Sequence, residues 1–213
     1  MPITINGSGT VTGISVGGLP DGIVDTDMIA ANAVTSNRLA LEGVTKDKQG
    51  PGSIVQCLQV TKTDTWSSSS SNTWHSITGL AGLITPTTNT NKILVIVSLG
   101  KFHSTGGSHA IKYDRTIAGT GTTSSVGIGD AASSRPQVSF GTYGDDIYNS
   151  NHAAAYSHHF LDSPATTAEI TYQVKSNSEG TYAYLNRSSD DTDQTDIYRG
   201  RASSSITLME IVA

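Results

Sequence analysis

Along Ile170-Thr171-Tyr172-Gln173-Val174 apolar and polar residues alternate one for one, the period of a strand with one buried face. The same reading divides the chain from Ser53 onward into strand-length segments at 54–63, 73–80, 92–103, 109–117, 137–148, 153–161, 168–176, 181–187 and 204–212. Gly, Ser, Asn and Asp fill the intervals, as in Ser67–Asn72, Ala118–Ser125 and Asn177-Ser178-Glu179-Gly180, where they supply positive φ and local side-chain hydrogen bonds. Ile93-Leu94-Val95-Ile96-Val97 breaks the alternation. An unbroken apolar run of this length predicts a central strand covered on both faces. The segment Ile206–Val212 lies at the end of the chain and is expected to be tied into the fold. Eight or nine antiparallel strands, with no helical period after residue 52, predict a mainly β head built as an antiparallel β-sandwich or jelly roll.

The pattern before residue 53 differs. Residues 1–22 carry glycines and single spaced aliphatics, Ile3, Ile5, Val11, Ile14 and Val16, which suits an extended segment that adds strands to another surface; a disordered tail has the same composition. Residues 23–32 and 33–42 then repeat one layout. Val24 and Val34 stand at N′, a capping Asp25 or Thr35 follows, and Ile29 and Leu39 stand at N4, which is a hydrophobic staple. Each decad is far below the roughly 12 to 15 residues at which an isolated helix becomes marginal. Its partners are therefore expected from other chains or an attachment surface, with Val24, Ile29, Val34 and Leu39 facing inward in the assembly. A third copy begins at Gly43 and places Gln49 at N4 before Gly50-Pro51-Gly52, so the repeat stops. Three regions result: 1–22, 23–52 and the head at 53–213.

Composition narrows the partners. Charged residues make up 15% of the 213, and the net charge is −5 with scattered Lys and Arg, whereas nucleic-acid binding calls for a clustered basic surface. The N-terminus has no basic stretch followed by an apolar one, so no secretory signal is expected. Ile93–Val97 is too short for a membrane span of roughly 20 residues. Cys57 is the one cysteine and, inside an apolar strand segment, is expected to be buried.

Candidate chemistry is sparse. His103 and His109 flank a predicted turn and could share a metal, but no third ligand stands at a recognisable spacing. His158 and His159 are neighbours on a strand and point to opposite faces, one packed and one exposed. The acidic stretch Ser188–Asp196 lacks the glycine and glutamate of an EF-hand loop and reads as a solvated loop. Paired acids such as Asp145-Asp146 do not establish a glycosidase geometry. No hydrolase, zinc-protease, phosphate-loop or CxxC motif occurs, so no catalysis, metal or cofactor is expected. Phe140–Asn149 combines aromatic faces with polar groups and glycines, which suits sugars and polar epitopes. Tyr143, Asp145, Asp146 and Tyr148 are the candidate receptor-binding residues. Trp66 and Trp74 bracket a serine run and are expected to pack at the base of a hairpin.

Gly7-Ser8-Gly9-Thr10-Val11-Thr12-Gly13-Ile14, Gly17-Gly18-Leu19-Pro20-Asp21-Gly22, the Ala33–Ala40 repeat, Asn91–Val95, Ser134–Phe140, Phe160–Pro164 and Asn186–Ser189 together resemble tail-fibre proteins of tailed bacteriophages. The resemblance spans most of the chain, and the order of its motifs carries it. It implies a homotrimeric virion fibre made in the host cytoplasm. Residues 1–50 would dock on a tail, baseplate or adaptor protein, and a distal β head would touch a host-surface glycan or protein, with no membrane insertion. The alternatives are a structural baseplate, collar or capsid-decoration protein without receptor binding, and a glycan-degrading enzyme.

Overall fold

The computed structural model describes residues 4–5, 11–12, 48–144, 153–180 and 182–213. The chain divides into two units, Met1–Lys48 and Gln49–Ala213. In the first, β1 (Thr4–Ile5) pairs antiparallel with β2 (Val11–Thr12). Val24, Ile29, Val34 and Leu39 lie outside the described residues, as do Asp145, Asp146 and Tyr148.

The second unit is an antiparallel β-sandwich. Its larger sheet contains β3 (Ile54–Lys62), β4 (Trp66–Ser68), β6 (Lys92–Thr105), β10 (Ala154–Asp162), β12 (Tyr182–Leu185) and β13 (Ser204–Ile211). The smaller contains β5 (His75–Ile84), β7 (Gly107–Ile117), β8 (Thr123–Val126), β9 (Phe140–Gly144) and β11 (Ile170–Ser178). Strand β6 is the spine of the large sheet: β10 pairs along one edge, and β13 and β12 pair along the other. In the small sheet β11 sits between β5 and β7.

Alternation decides which side chains meet. On β11 Ile170, Tyr172 and Val174 are fully buried, while on β6 Ile93, Val95, Val97 and Leu99 face them from the opposite sheet. Ile206 and Leu208 of β13, Ile111 and Tyr113 of β7, and Ile77 and Leu80 of β5 complete this core. Two polar ties cross or close it. Arg115 of β7 grips Asp162 of β10 through contacts of 2.8 and 2.9 Å, and the Tyr172 hydroxyl donates to the same carboxylate at 2.6 Å. Gln173 Nε2 donates to the carbonyls of Ile77 and Leu80, filling the irregularity that Gly79 makes with φ +80°.

The mainly β reading holds, and the C-terminal strand is indeed enclosed, between β3 and β6. Several finer expectations do not. Strands β4 and β8 occupy segments expected to be turns, because Ser and Thr pair in a ladder as readily as they cap a turn. Trp66 and Trp74 do not close one hairpin: β4 belongs to the large sheet and β5, which follows Trp74, to the small one. Cys57 is exposed, since it lies on an edge strand and points away from the core. Strand β6 is central, but Leu94 and Ile96 on its outer side are only half-buried, so a single face of the Ile93–Val97 run is covered. Among the described residues no helix is long and apolar enough to cross a membrane.

Candidate functional site

A cleft of about 550 Å³ opens on the outer side of the small sheet, at the end where the β6–β7 and β11–β12 turns lie. Its floor follows from register. Asn177 of β11 pairs with Ala110 of β7, which pairs with Gly141 of β9. These outward positions alternate with the core-facing ones, and two of the three carry almost no side chain, so the sheet surface is hollow there. Trp74 forms one wall, and Pro136 and Val138 the other.

The rim is polar and held in place. Asn72 sits at φ 54°, a left-handed conformation that Asn tolerates better than most residues, and its N–H donates to the Ser178 carbonyl at 2.7 Å. The Glu179 N–H donates to the Ser108 carbonyl at 2.9 Å, and the Ser108 hydroxyl and N–H both donate to the Glu179 carboxylate. Lys112 lies 4.8 Å from the centre of the Trp74 ring. Its ammonium is fixed in turn by the Ser125 hydroxyl at 3.1 Å and by Asp114 at 3.6 Å. Burial acts to raise the Asp114 carboxyl, but bonds from Lys175 and Ser125 and the charge of Lys112 prevail and hold it below the usual range. The aromatic wall is thus braced before any ligand arrives.

Two acceptors belong to the cleft, one buried in its floor and one on its rim. The Asn177 Oδ1 is buried without a hydrogen-bond partner among the described residues, and Glu179 contributes a carboxylate to the lining. The cleft therefore offers an aromatic face, amides and acceptors in a concave hollow, the equipment for a hydroxyl-bearing ligand.

Of the residues singled out in the sequence, Trp74 and His109 line the cleft, whereas Asp145, Asp146 and Tyr148 lie outside the described residues. Tyr143 lies in β9 and pairs with Ser108 of β7. His103 and His109 diverge. His103 stacks on Tyr184 with 6.2 Å between centroids, whereas the His109 ring turns to Phe102 and Tyr156 and meets the Ser104 hydroxyl at 3.1 Å. Burial first, and His103 second, push His109 down to about 4. Among the described residues no three His, Cys, Asp or Glu side chains converge as metal ligands. His158 packs among Tyr113, Phe140 and Phe160, and His159 is exposed, the expected division. Carboxylates of the acidic loop pair with arginines: Asp191 with Arg187 and Arg201, each at 2.7 Å, and Asp190 and Asp196 with Arg199. Reading single segments missed the cleft because it depends on three strands lying side by side.

No protein-family model matches the chain, and no curated protein matches it. Among solved structures it is similar to the VP2 subviral particle of infectious bursal disease virus, at 12% identity and TM-score 0.40 over 74% of this chain and 33% of that one. It is also similar to the Gx strain of the same virus, at 14% identity and TM-score 0.32 over 76% and 39%, and to the Gt strain, at 14% and 0.36 over 74% and 38%. The chain thus spans about a third of the length of these structures, and the superpositions are loose.

Proposed function

We propose that this chain is a structural virion protein of the tail-fibre type, whose β head recognises a saccharide of the host surface through the loop-end cleft. The observation that carries the reading is the cleft itself: a braced Trp74 face above a floor of small residues, rimmed by Asn72, Asn177, Ser108 and Glu179. The acceptors of the cleft suit the hydroxyls of a neutral or amino sugar, and Glu179 disfavours an acidic one by like-charge repulsion. The resemblance of the chain's ordered motifs to phage tail fibres supports the virion setting, and the division at Lys48 and Gln49 suits an attachment segment followed by a head. Homotrimeric assembly belongs to the same proposal, because several heads on one particle convert weak single contacts into firm attachment.

Binding of the full chain to arrayed bacterial surface glycans tests this. Retention on neutral or amino-sugar glycans, lost in Trp74→Ala, is the expected result. No retention on any glycan favours the purely structural alternative. Release of reducing ends from a bound glycan points instead to an enzyme.

A further inference from the structure

Three successive rows on the outer face of the large sheet carry no charge, although Lys92 of β6 stands exposed beside the first of them. The side chains of this face form rows across four strands. Cys57, Met209, Leu94 and Leu161 stand directly opposite one another, as do Gln59, Thr207, Ile96 and His159, and then Thr61, Ser205, Ser98 and Ser157. Not one of these is Asp, Glu, Lys or Arg. The first row is apolar from edge to edge, and Leu161 keeps 51% of its surface exposed. Both outermost strands, β3 and β10, also lack the outward charges that usually protect a sheet edge from unwanted pairing. The apolar Ile93–Val97 run called for cover on both faces, and the fold supplies it on one.

We propose that this face is an interface between copies of the chain. Charge selects the occupant. Each copy carries a net −5, so two copies repel unless they meet where carboxylates are absent, and these rows are such a place. A neutral face has nothing with which to hold a charged partner, and a contact between two copies about a twofold axis would set the same uncharged rows against each other. Four strands at about 4.8 Å and rows about 6.8 Å apart give roughly 300 to 400 Å². That is about half of one side of a standard interface, which uses roughly 800 Å². The face therefore completes an assembly that has further contacts elsewhere in the chain. It does not involve the cleft, which lies on the opposite sheet, and stands independently of the receptor reading.

Cys57 is a built-in probe, being the one cysteine and part of the apolar row. The experiment measures the mass of the full chain by light scattering and the rate at which Cys57 reacts with an aromatic disulfide reagent. Leu94→Glu and Leu161→Glu serve as comparison, two variants because a charge on the central strand could impair folding whereas position 161 is already exposed. The interface predicts a multimer whose thiol reacts about tenfold or more slowly than in the charged variants, corresponding to about 1.4 kcal/mol of closure. A monomeric wild type overturns the proposal. So does a multimer whose Cys57 reacts as fast as in folded Leu161→Glu.

Discussion

Replacing Glu210 probes the tie between the C-terminal strand and the β5–β6 connection, and its cost can be worked out bond by bond. The residue is fully buried on β13. Its Oε1 accepts from the Thr87 N–H, the Thr87 hydroxyl and Asn91 Nδ2, and its Oε2 from Gln56 Nε2, each at 2.7 Å. Burial acts to raise the carboxyl pKa, but the donors of Asn91, Thr87 and Gln56 outweigh it and hold the group below 4.5. Glu210 is thus charged in the fold. In Glu210→Gln the amide oxygen can occupy the Oε1 position and keep three bonds at neutral strength. The new NH₂ then faces the Gln56 NH₂, which must turn over and give up its 2.8 Å bond to the Thr85 carbonyl. Bonds to a charged group contribute about 1.5–3 kcal/mol and neutral ones about 0.5–1.5, so the net loss is about 2 kcal/mol. Glu210→Ala strands donors that cost about 1–3 kcal/mol each when buried unpaired, and with water reaching some of them the loss is about 4 kcal/mol.

Urea unfolding at neutral pH reads both as shifts in midpoint at constant slope. Because the folded pKa lies below the unfolded one, the carboxylate's contribution is complete above 4.5 and declines as pH falls through the folded value. The gap between wild type and Glu210→Gln should therefore narrow in acid. Two variants that both stay within about 0.5 kcal/mol of wild type, the range of ordinary surface changes, would refute the reasoning. Glu210→Gln costing more than Glu210→Ala would do the same.

Three further outcomes are expected. His109 protonates at about 4 in the fold against 6.5 unfolded, so the unfolded chain binds more protons between these values and stability falls as pH drops through that window, by roughly 3 kcal/mol in total; His109→Phe, which suits the neighbouring Phe102 and Tyr156, should flatten the slope of unfolding free energy against pH. Asp162→Ala leaves the Arg115 guanidinium half-buried and unpaired and removes the acceptor of Tyr172, and should lower stability by about 3–5 kcal/mol in denaturant titration. A Cβ at Gly180 would stand 1.9 Å from the Gly106 carbonyl oxygen and 2.0 Å from that of Thr105, so Gly180→Ala must move the turn that carries Glu179 and should weaken glycan retention as well as lower the melting temperature.

Much of the head was legible from the chain. The nine segments read as strands correspond to nine of the eleven in the sandwich, because alternation such as that of Ile170–Val174 reflects a single local cause, one wet face and one dry. Strands β4 and β8 were lost to their Ser and Thr content, for which turn and ladder are equally good outlets. Cys57 misled because apolar neighbours in sequence do not say which side of an edge strand is covered. The cleft was illegible for a different reason: Ala110 and Gly141 matter by what they lack, and Asn177 joins them only through pairing across β7. Conversely, the apolar run 93–97 said more than the isolated fold satisfies, and that surplus marks the outer sheet face.

Adsorption competition tests the central claim most directly. The purified full chain, added in excess to virions that carry it, should occupy the host receptor and slow attachment of those virions to cells, while folded Trp74→Ala at the same concentration should leave attachment unchanged. Equal competition by wild type and Trp74→Ala, or none by either, would contradict recognition through the cleft.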